Sequence, residues 1–251
     1  MQVHIVPDAA AGGALVADLF EEVIREAGEA GAVLGLATGS SPLTAYAELI
    51  RRHRERGLSF AHSRAFTLDE YVGLSGDHPQ SYRRFIHEHL VDQVDLPASA
   101  VDTPDGAAAD PDLEAIAYER RLQDAGGVDL QILGIGSNGH IAFNEPGSDR
   151  ASRTRVVDLA PSTIADNARF FRDPSQVPVR AISQGLGTLA EARRIVLTAS
   201  GAGKAEAIAH LLEGEMTDQW PATALQQHPQ VTVVVDEAAA SRLTRSDTRH
   251  S

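Results

Sequence analysis

Residues 128–148 read VDLQILGIGSNGHIAFNEPGS. The first six residues are mostly apolar, which is typical of a buried strand in a parallel sheet. From Gly134 onward the stretch is polar and rich in glycine, and it follows neither the helical nor the strand period. Glycine permits tight turns and close approach of the backbone to a ligand. Because ligands of open α/β sheets bind outside the carboxyl ends of strands, we expect a functional site in this loop.

The polar side chains of this loop are the first candidate site residues. Four of them fall within eight residues: Asn138, His140, Asn144 and Glu145. A lone histidine in a loop more often caps a neighbouring element, but this density of polar groups at the end of a strand favours a site. A histidine and a glutamate are also metal ligands. No further ligand cluster has suitable spacing, so we expect no metal.

The rest of the chain alternates strands with helices. Apolar runs predict further strands at residues 32–37, 64–68, 155–159, 194–199 and 231–235. Two helices have clear start signals: Asp8 as one N-cap, and Ser41 as another with Pro42 in the first turn. The pattern predicts one α/β domain over residues 1–251. Its sheet is expected to be doubly wound and mainly parallel, with helices on both faces, as in Rossmann-like folds.

Composition narrows the function classes. The chain has no cysteine, which excludes disulfides and thiol catalysis. Its formal net charge of −13 argues against nucleic acid as a partner, because phosphate backbones need a basic surface. No window approaches the ~18 apolar residues of a membrane span, and the first residues lack the pattern of a signal peptide. We expect a cytoplasmic protein that binds neither nucleic acid nor a membrane.

The turn Thr38-Gly39-Ser40-Ser41 is a candidate anion site, because it follows a predicted strand and opens a helix. Free N–H groups and the positive end of the helix dipole attract anions there, and the hydroxyls add donors. The alternative is an ordinary capped helix that binds no anion, since the same residue types are common at helix starts. The turn lacks the lysine and the spacing of a P-loop, so nucleotide binding is not indicated.

Three charged residues complete the set of candidates. Asp69 stands at the end of the strand predicted at 64–68, where a carboxylate can act as a general base or cap a turn. Lys204 opens a helix, where the positive end of the helix dipole makes a cation unfavourable by roughly a few tenths of a kcal/mol or more. It is therefore either solvated or close to an anionic ligand. Arg169 lies in a proline-bounded segment and suits either a bidentate phosphate contact or a surface ion pair.

Four motifs carry a resemblance to a known family. GHIAFNEP at 139–146 is similar to the signature of glucosamine-6-phosphate deaminases. Three further matches follow the family's order: LATGSSP at 36–42, LDEYVGL at 68–74 and NARFF at 167–171. The chain resembles this family over nearly its whole length, and four ordered motifs are far more specific than one glycine-rich loop.

The resemblance implies an activity. Family members convert D-glucosamine 6-phosphate and water to D-fructose 6-phosphate and ammonia, by aldose–ketose isomerisation and without a cofactor. A small sugar phosphate would then be the substrate, and a homo-oligomer is an option. Three alternatives stay open: a deaminase of galactosamine 6-phosphate, a 6-phosphogluconolactonase-like hydrolase, and a non-catalytic sugar-phosphate sensor. Sensors of this fold carry a DNA-binding domain, for which the sequence before Asp8 leaves no room.

The resemblance also implies residue roles. Asp69 would move a proton from C2 to C1 of the open-chain sugar. His140, Glu145 and Asn138 match the ring-opening group, although the best-known pattern has aspartate at the position of Asn138. The turn at 38–41, Arg169 and Lys204 would bind the phosphate. Residues 155–184 would form a mobile lid.

Regulation is a final expectation from the family. Some members are hexamers activated by N-acetylglucosamine 6-phosphate, whose phosphate is held shortly after the GHIAFNEP motif. Ser148 and Arg155 are retained from that pattern, but Val157 and Asp158 replace lysine and threonine. A valine donates no hydrogen bond and an aspartate repels phosphate. We expect hyperbolic kinetics that are insensitive to this effector, unless Arg153 and Arg155 form a rearranged site.

Overall fold

The structure is a computed structural model, and it describes residues 1–171, 173, 176–244 and 249–250. Its strands are β1 (Gln2–Val6), β2 (Val33–Leu36), β3 (Arg64–Thr67), β4 (Asp69–Tyr71), β5 (Val101–Asp102), β6 (Leu130–Leu133), β7 (Arg155–Asp158), β8 (Arg180–Ser183), β9 (Arg194–Ala199), β10 (Val231–Asp236) and β11 (Arg249–His250). Eight of them form a parallel sheet in the order β11-β1-β10-β9-β6-β2-β3-β5. Its inner strands are buried along most of their length, as continuous apolar runs predict.

Helices connect these strands and cover the sheet. They are α1 (Ala9–Ala27), α2 (Leu43–Arg56), α3 (Tyr82–His89), α4 (Pro111–Asp124), α5 (Pro161–Asn167), α6 (Leu186–Leu189) and α7 (Ala205–Glu213). Helix α1 packs against β9 and β10 and against α2. The α/β fold with a mainly parallel, Rossmann-like sheet is the one predicted from the sequence. None of the helices in the described ranges is long and apolar enough to cross a membrane.

The two predicted helix starts have different outcomes. The Asp8 carboxylate accepts a hydrogen bond from the Ala11 N–H at 2.8 Å, so this N-cap is confirmed. The cap predicted at Ser41 is wrong. Helix α2 begins at Leu43, and Pro42 itself is the N-cap residue, with no side-chain cap hydrogen bond. Ser41 therefore belongs to the turn before the helix, with its hydroxyl close to Gly134.

A second, smaller sheet was not predicted. It is antiparallel, with strand order β4-β8-β7, and both β4 and β7 pair with β8. Strand β4 follows β3 after the single residue Leu68, so the chain leaves the large sheet and enters the small one at once. The segment at 155–184 supplies β7, α5 and β8. These three elements belong to the fold, and the motion of the segment as a lid stays a prediction.

Candidate active site

Four neighbouring strands of the parallel sheet, in the order β9-β6-β2-β3, end at the candidate site. The loop at 134–148 follows β6, the turn at 38–41 follows β2, Asp69 comes just after β3, and Lys204 follows β9. Because neighbouring parallel strands run in the same direction, their carboxyl ends lie on the same edge of the sheet. Residues predicted from three of the motifs, together with Lys204, therefore follow strands that end on one edge of the sheet, where open α/β sheets bind ligands.

The ring-opening candidates form a hydrogen-bonded row. The Nδ1 atom of His140 lies 2.8 Å from the Asn138 Oδ1 atom. The Asn138 amide nitrogen donates to Glu145 Oε2 at 2.7 Å. The Thr163 hydroxyl, from α5, donates to the other oxygen of the same carboxylate at 2.7 Å. Sequence reasoning did not single out Thr163, because only the folded chain brings α5 to this loop.

The Asn138 amide fixes the tautomer of His140. Its Oδ1 atom also accepts the backbone N–H of His140 at 3.2 Å, while its nitrogen faces a carboxylate, so the oxygen must face the histidine. Nδ1 of His140 is then the protonated nitrogen, and Nε2 is the nitrogen that can take up a proton. Glu145 Oε2 lies 3.7 Å from Nδ1, beyond direct hydrogen-bonding distance. The carboxylate therefore acts on the imidazole mainly through Asn138.

Glycines shape the loop around this row. A Cβ atom on Gly136 would lie 2.3 Å from the His140 ring, so the imidazole packs directly over the bare backbone. Gly139 has a φ of +81°, and a Cβ there would lie 2.6 Å from the Trp220 ring. Trp220 stacks in turn on His210 of α7, with ring centroids 3.9 Å apart. These contacts explain two of the glycines in the motif and hold His140 between rigid elements.

Asp69 is a buried carboxylate. Only 5% of the residue is exposed, and no hydrogen-bond donor to its carboxylate is found in the described part of the chain. Burial raises the pKa of Asp69 well above its usual range, and the neighbouring charge of Glu70 acts in the same direction. The sequence predicted Asp69 at the end of the strand at 64–68, whereas the structure places it on a separate strand, β4, whose pairing with β8 fixes its backbone. A base at this position is both desolvated and held in place.

Glu70 points to the opposite side of β4 and has a structural role. Its carboxylate accepts hydrogen bonds from the backbone N–H groups of Tyr71, Tyr82 and Arg83 and from the Ser81 hydroxyl, at 2.7–3.0 Å. Burial raises the pKa of Glu70, and these four donors act against that shift. The residue thus anchors the N-terminus of α3 beside the site.

Two tyrosines missed by sequence reasoning lie beside Asp69. Tyr71 and Asp69 are two residues apart on β4, so their side chains share one face. The Tyr82 hydroxyl donates to the Tyr71 hydroxyl at 3.0 Å and is itself hydrogen-bonded to Thr38. Burial raises the pKa of Tyr71 to about 12, so both phenols stay protonated at neutral pH. Tyr71 stands in the LDEYVGL motif, but its spacing alone gave no sign of this contact.

The anion-site candidates lie in three segments: the turn at 38–41, the start of α7 and the turn after α5. Gly39 has a φ of +86°, and the Ser41 hydroxyl faces Gly134, where a Cβ would lie 3.3 Å from Oγ. Lys204 is the N-cap residue of α7. Arg169 is exposed in the turn Ala168–Phe170, directly after α5. Phosphate binding by these residues stays a prediction, as does the absence of a metal. Within the described ranges, no group of three or more His, Cys, Asp or Glu residues is suited to a metal ion.

The chain is similar over most of its length to a family of known proteins. The profile of the family described as glucosamine-6-phosphate isomerases/6-phosphogluconolactonase matches residues 7–234. A glucosamine-6-phosphate deaminase of Beutenbergia cavernae is 55% identical over 98% of this chain and 94% of its own length. The corresponding protein of Mycolicibacterium smegmatis is 54% identical, with the same coverage.

Solved structures give the same grouping. A monomeric glucosamine-6-phosphate deaminase superposes with a TM-score of 0.93 at 41% identity, covering 96% of this chain and 99% of the other. The 6-phosphogluconolactonase of Trypanosoma brucei has a TM-score of 0.76 at 22% identity, covering 97% and 98%, which is a likeness of fold alone. Since the family profile spans most of the chain and close relatives match almost all of it, the chain belongs to the glucosamine-6-phosphate isomerase/6-phosphogluconolactonase family.

Proposed function

We propose that this protein is a glucosamine-6-phosphate deaminase, which converts D-glucosamine 6-phosphate and water to D-fructose 6-phosphate and ammonia. The observation that carries the proposal is the pairing of two proton-transfer groups at one sheet edge. The row His140, Asn138 and Glu145 suits ring opening, and the buried Asp69 suits proton abstraction from carbon. The close relatives named as deaminases support the same substrate.

Ring opening is the first step of the proposed reaction. Nε2 of His140 takes the proton of the C1 hydroxyl and passes it to the ring oxygen, so the C1–O5 bond breaks and an aldehyde forms. While it holds this proton, the imidazole is positively charged. The Asn138 oxygen at 2.8 Å and the Glu145 carboxylate at 3.7 Å stabilise that charge.

Isomerisation and deamination follow. Asp69 removes the C2 proton of the open-chain sugar while the C2 ammonium gives a proton to the C1 aldehyde oxygen, so an enolamine forms. Asp69 then returns its proton to C1, which leaves an iminium at C2. Water then adds to C2, and ammonia leaves, giving the ketose. A carboxylate in a desolvated site is a stronger base than one in water, so the burial of Asp69 favours the first transfer. Neither a metal nor an organic cofactor takes part in these steps.

The phosphate completes the proposed binding mode. Thr38, Gly39, Ser40 and Ser41 would bind it through backbone N–H groups and hydroxyls at the start of α2. Lys204 and Arg169 would supply positive charge to offset the net charge of −13. Because a phosphorylated sugar does not cross a membrane unaided, we also place the reaction in the cytoplasm. All of these groups come from one chain, so an oligomer is not needed for the chemistry.

A substrate panel tests the proposal. Ammonia release is measured with glucosamine 6-phosphate, its galactosamine epimer and unphosphorylated glucosamine, and lactone hydrolysis is measured with 6-phosphogluconolactone. We expect the first compound to have the highest kcat/KM. Lactone hydrolysis without ammonia release would instead assign a 6-phosphogluconolactonase, and a preference for the epimer would change the substrate. Binding of the sugar phosphates without turnover of any of them would indicate a sensor.

A further inference from the structure

Helix α5 donates one hydrogen bond to the ring-opening row and one to Tyr71, which lies on the same strand as Asp69. Thr163 donates to Glu145 Oε1 at 2.7 Å, and Asn167 donates from its amide nitrogen to the Tyr71 hydroxyl at 2.7 Å. Residues four apart lie on the same face of a helix. A single face of α5 therefore contacts both the ring-opening row and the strand that carries the base.

The first contact fixes the plane of a carboxylate. Glu145 has two oxygens, and each accepts one side-chain hydrogen bond, Oε1 from Thr163 and Oε2 from Asn138. Without Thr163 the carboxylate keeps the hydrogen bond to Asn138 but loses the one that fixes its plane, and its terminal torsion is broad for glutamate. The Asn138 amide would lose its fixed partner, and the orientation of His140 depends on that amide.

The second contact holds Tyr71 in place. Tyr71 is 3% exposed and packs against Tyr82 and Phe143, with ring centroids 4.7 and 5.8 Å apart. Its hydroxyl accepts from both Asn167 and Tyr82, and Tyr82 is hydrogen-bonded to Thr38. A continuous chain of side chains thus runs from α5, past the strand of Asp69, to the proposed phosphate turn.

We propose that Thr163 and Asn167 are positioning residues. Through α5 they keep the ring-opening group and the isomerisation base at fixed positions relative to each other. Thr163 acts through Glu145, and Asn167 acts through Tyr71. Neither residue needs to touch the substrate in order to affect turnover. The catalytic part of this inference rests on the proposed deaminase activity, but the effect of Thr163 on His140 does not.

Two substitutions at position 163 separate the hydrogen bond from packing. Thr163→Val keeps the shape and removes the donor, whereas Thr163→Ser keeps the donor and removes a methyl group. We expect valine to lower kcat for glucosamine 6-phosphate by about tenfold, the order of a hydrogen bond to a charged group. KM should stay within about twofold of wild type, and serine should restore most of kcat. Ala165→Ser, at an exposed position of the same helix, is the control and should match wild type.

The opposite pattern would overturn the role of Thr163. Equal losses in the valine and serine variants would indicate packing, and wild-type kcat in the valine variant would show that the hydrogen bond has no effect. Nitrogen-15 NMR of the imidazole gives a readout without turnover. We expect one Nδ1-protonated tautomer for His140 in the wild type and a mixture in Thr163→Val. An unchanged spectrum contradicts the inference, whereas an inactive wild type with the expected spectral change contradicts only the proposed function.

A double-mutant cycle tests Asn167. Asn167→Ala and Tyr71→Phe should each lower kcat/KM several-fold, roughly the effect of one neutral hydrogen bond. If Asn167 acts through the Tyr71 hydroxyl, the double variant should be no slower than the slower single variant. Independent effects that multiply would show that Asn167 acts elsewhere. Thermal unfolding midpoints within about 5 °C of wild type confirm that the comparison is between folded proteins.

Discussion

The Asn138 Oδ1 atom lies 2.8 Å from Nδ1 of His140, so two hydrogen bonds in series connect the imidazole to the Glu145 carboxylate. An amide at this position orients the ring without adding charge. The negative charge comes from Glu145, which reaches the histidine through the amide nitrogen of Asn138. From the arrangement of these three side chains we predict how substitutions in the site change turnover.

The first prediction concerns Glu145. Glu145→Gln removes the charge but keeps an oxygen that can accept from Asn138, so the geometry survives. We expect kcat for the ring-closed substrate to fall by roughly 10–100-fold, because the imidazolium loses its counter-charge. Binding of the open-chain alditol of the amino-sugar phosphate, measured by calorimetry, should change far less. Glu237→Gln, at an exposed position, is the matched control. Equal losses for both ligands would assign Glu145 to structure or to the isomerisation step.

The second prediction concerns the effect of Asp69 on stability. Burial raises the pKa of Asp69 in the folded state above its unfolded value of about 3.9. The folded state therefore binds the proton more tightly. The associated stability is fully present below about pH 4 and is lost as pH rises toward the folded pKa. In Asp69→Asn the side chain does not titrate, so this pH-dependent loss of stability is absent. The unfolding midpoint of the variant should therefore exceed that of wild type by more at pH 7 than at pH 4. A larger difference at pH 4 would contradict the direction of the shift.

The third prediction concerns the phosphate site. If the turn at 38–41, Arg169 and Lys204 bind the phosphate, unphosphorylated glucosamine should be a very poor substrate. Lys204→Ala should raise KM for the phosphorylated sugar by about tenfold or more, with a smaller effect on kcat. Added salt should also raise KM, because it screens the charges. Similar kcat/KM for glucosamine with and without phosphate would reject this site.

The fourth prediction concerns regulation. The two groups retained from the effector pattern are engaged within the chain: the Ser148 hydroxyl donates to the Glu145 carbonyl at 2.7 Å, and the Arg155 guanidinium donates to Asn144 Oδ1 at 3.0 Å. Asp158 is exposed nearby and repels an anion. An effector acts only through a difference in affinity between two states. We therefore expect hyperbolic rate curves that N-acetylglucosamine 6-phosphate leaves unchanged. Sigmoidal curves made hyperbolic by this compound would contradict the prediction.

Local signals predicted part of this fold well. The strand at 194–199 has the predicted bounds. A continuous apolar run favours a strand and also fills the buried centre of a parallel sheet. The Asp8 cap is likewise local. Strands β4 and β8 were missed because they are short, carry polar residues and depend on pairing between distant segments, β4 with β8 and β8 with β7. The Ser41 cap was wrong by one residue, since Pro42 takes the cap position.

The candidate site was also predictable only in part from the sequence. The sequence predicted that the turn at 38–41, Asp69 and the loop at 134–148 each follow a strand, and in the structure those strands are neighbours in one parallel sheet. The contacts that orient the chemistry were not predictable. Thr163 and Tyr82 reach the site from segments separated from their partners by other elements, so no spacing in the sequence shows those hydrogen bonds. Their roles depend on the packing of α5 and α3.

The most direct test measures the amounts of ammonia and D-fructose 6-phosphate that the wild type and Asp69→Asn form from D-glucosamine 6-phosphate. The substitution keeps the shape of the side chain and removes the base. We predict equal molar amounts of the two products from the wild type, and a rate lower by roughly 10²–10⁴ in the folded variant. Near-normal turnover by Asp69→Asn, or sugar phosphate consumed by the wild type without ammonia, would contradict the account.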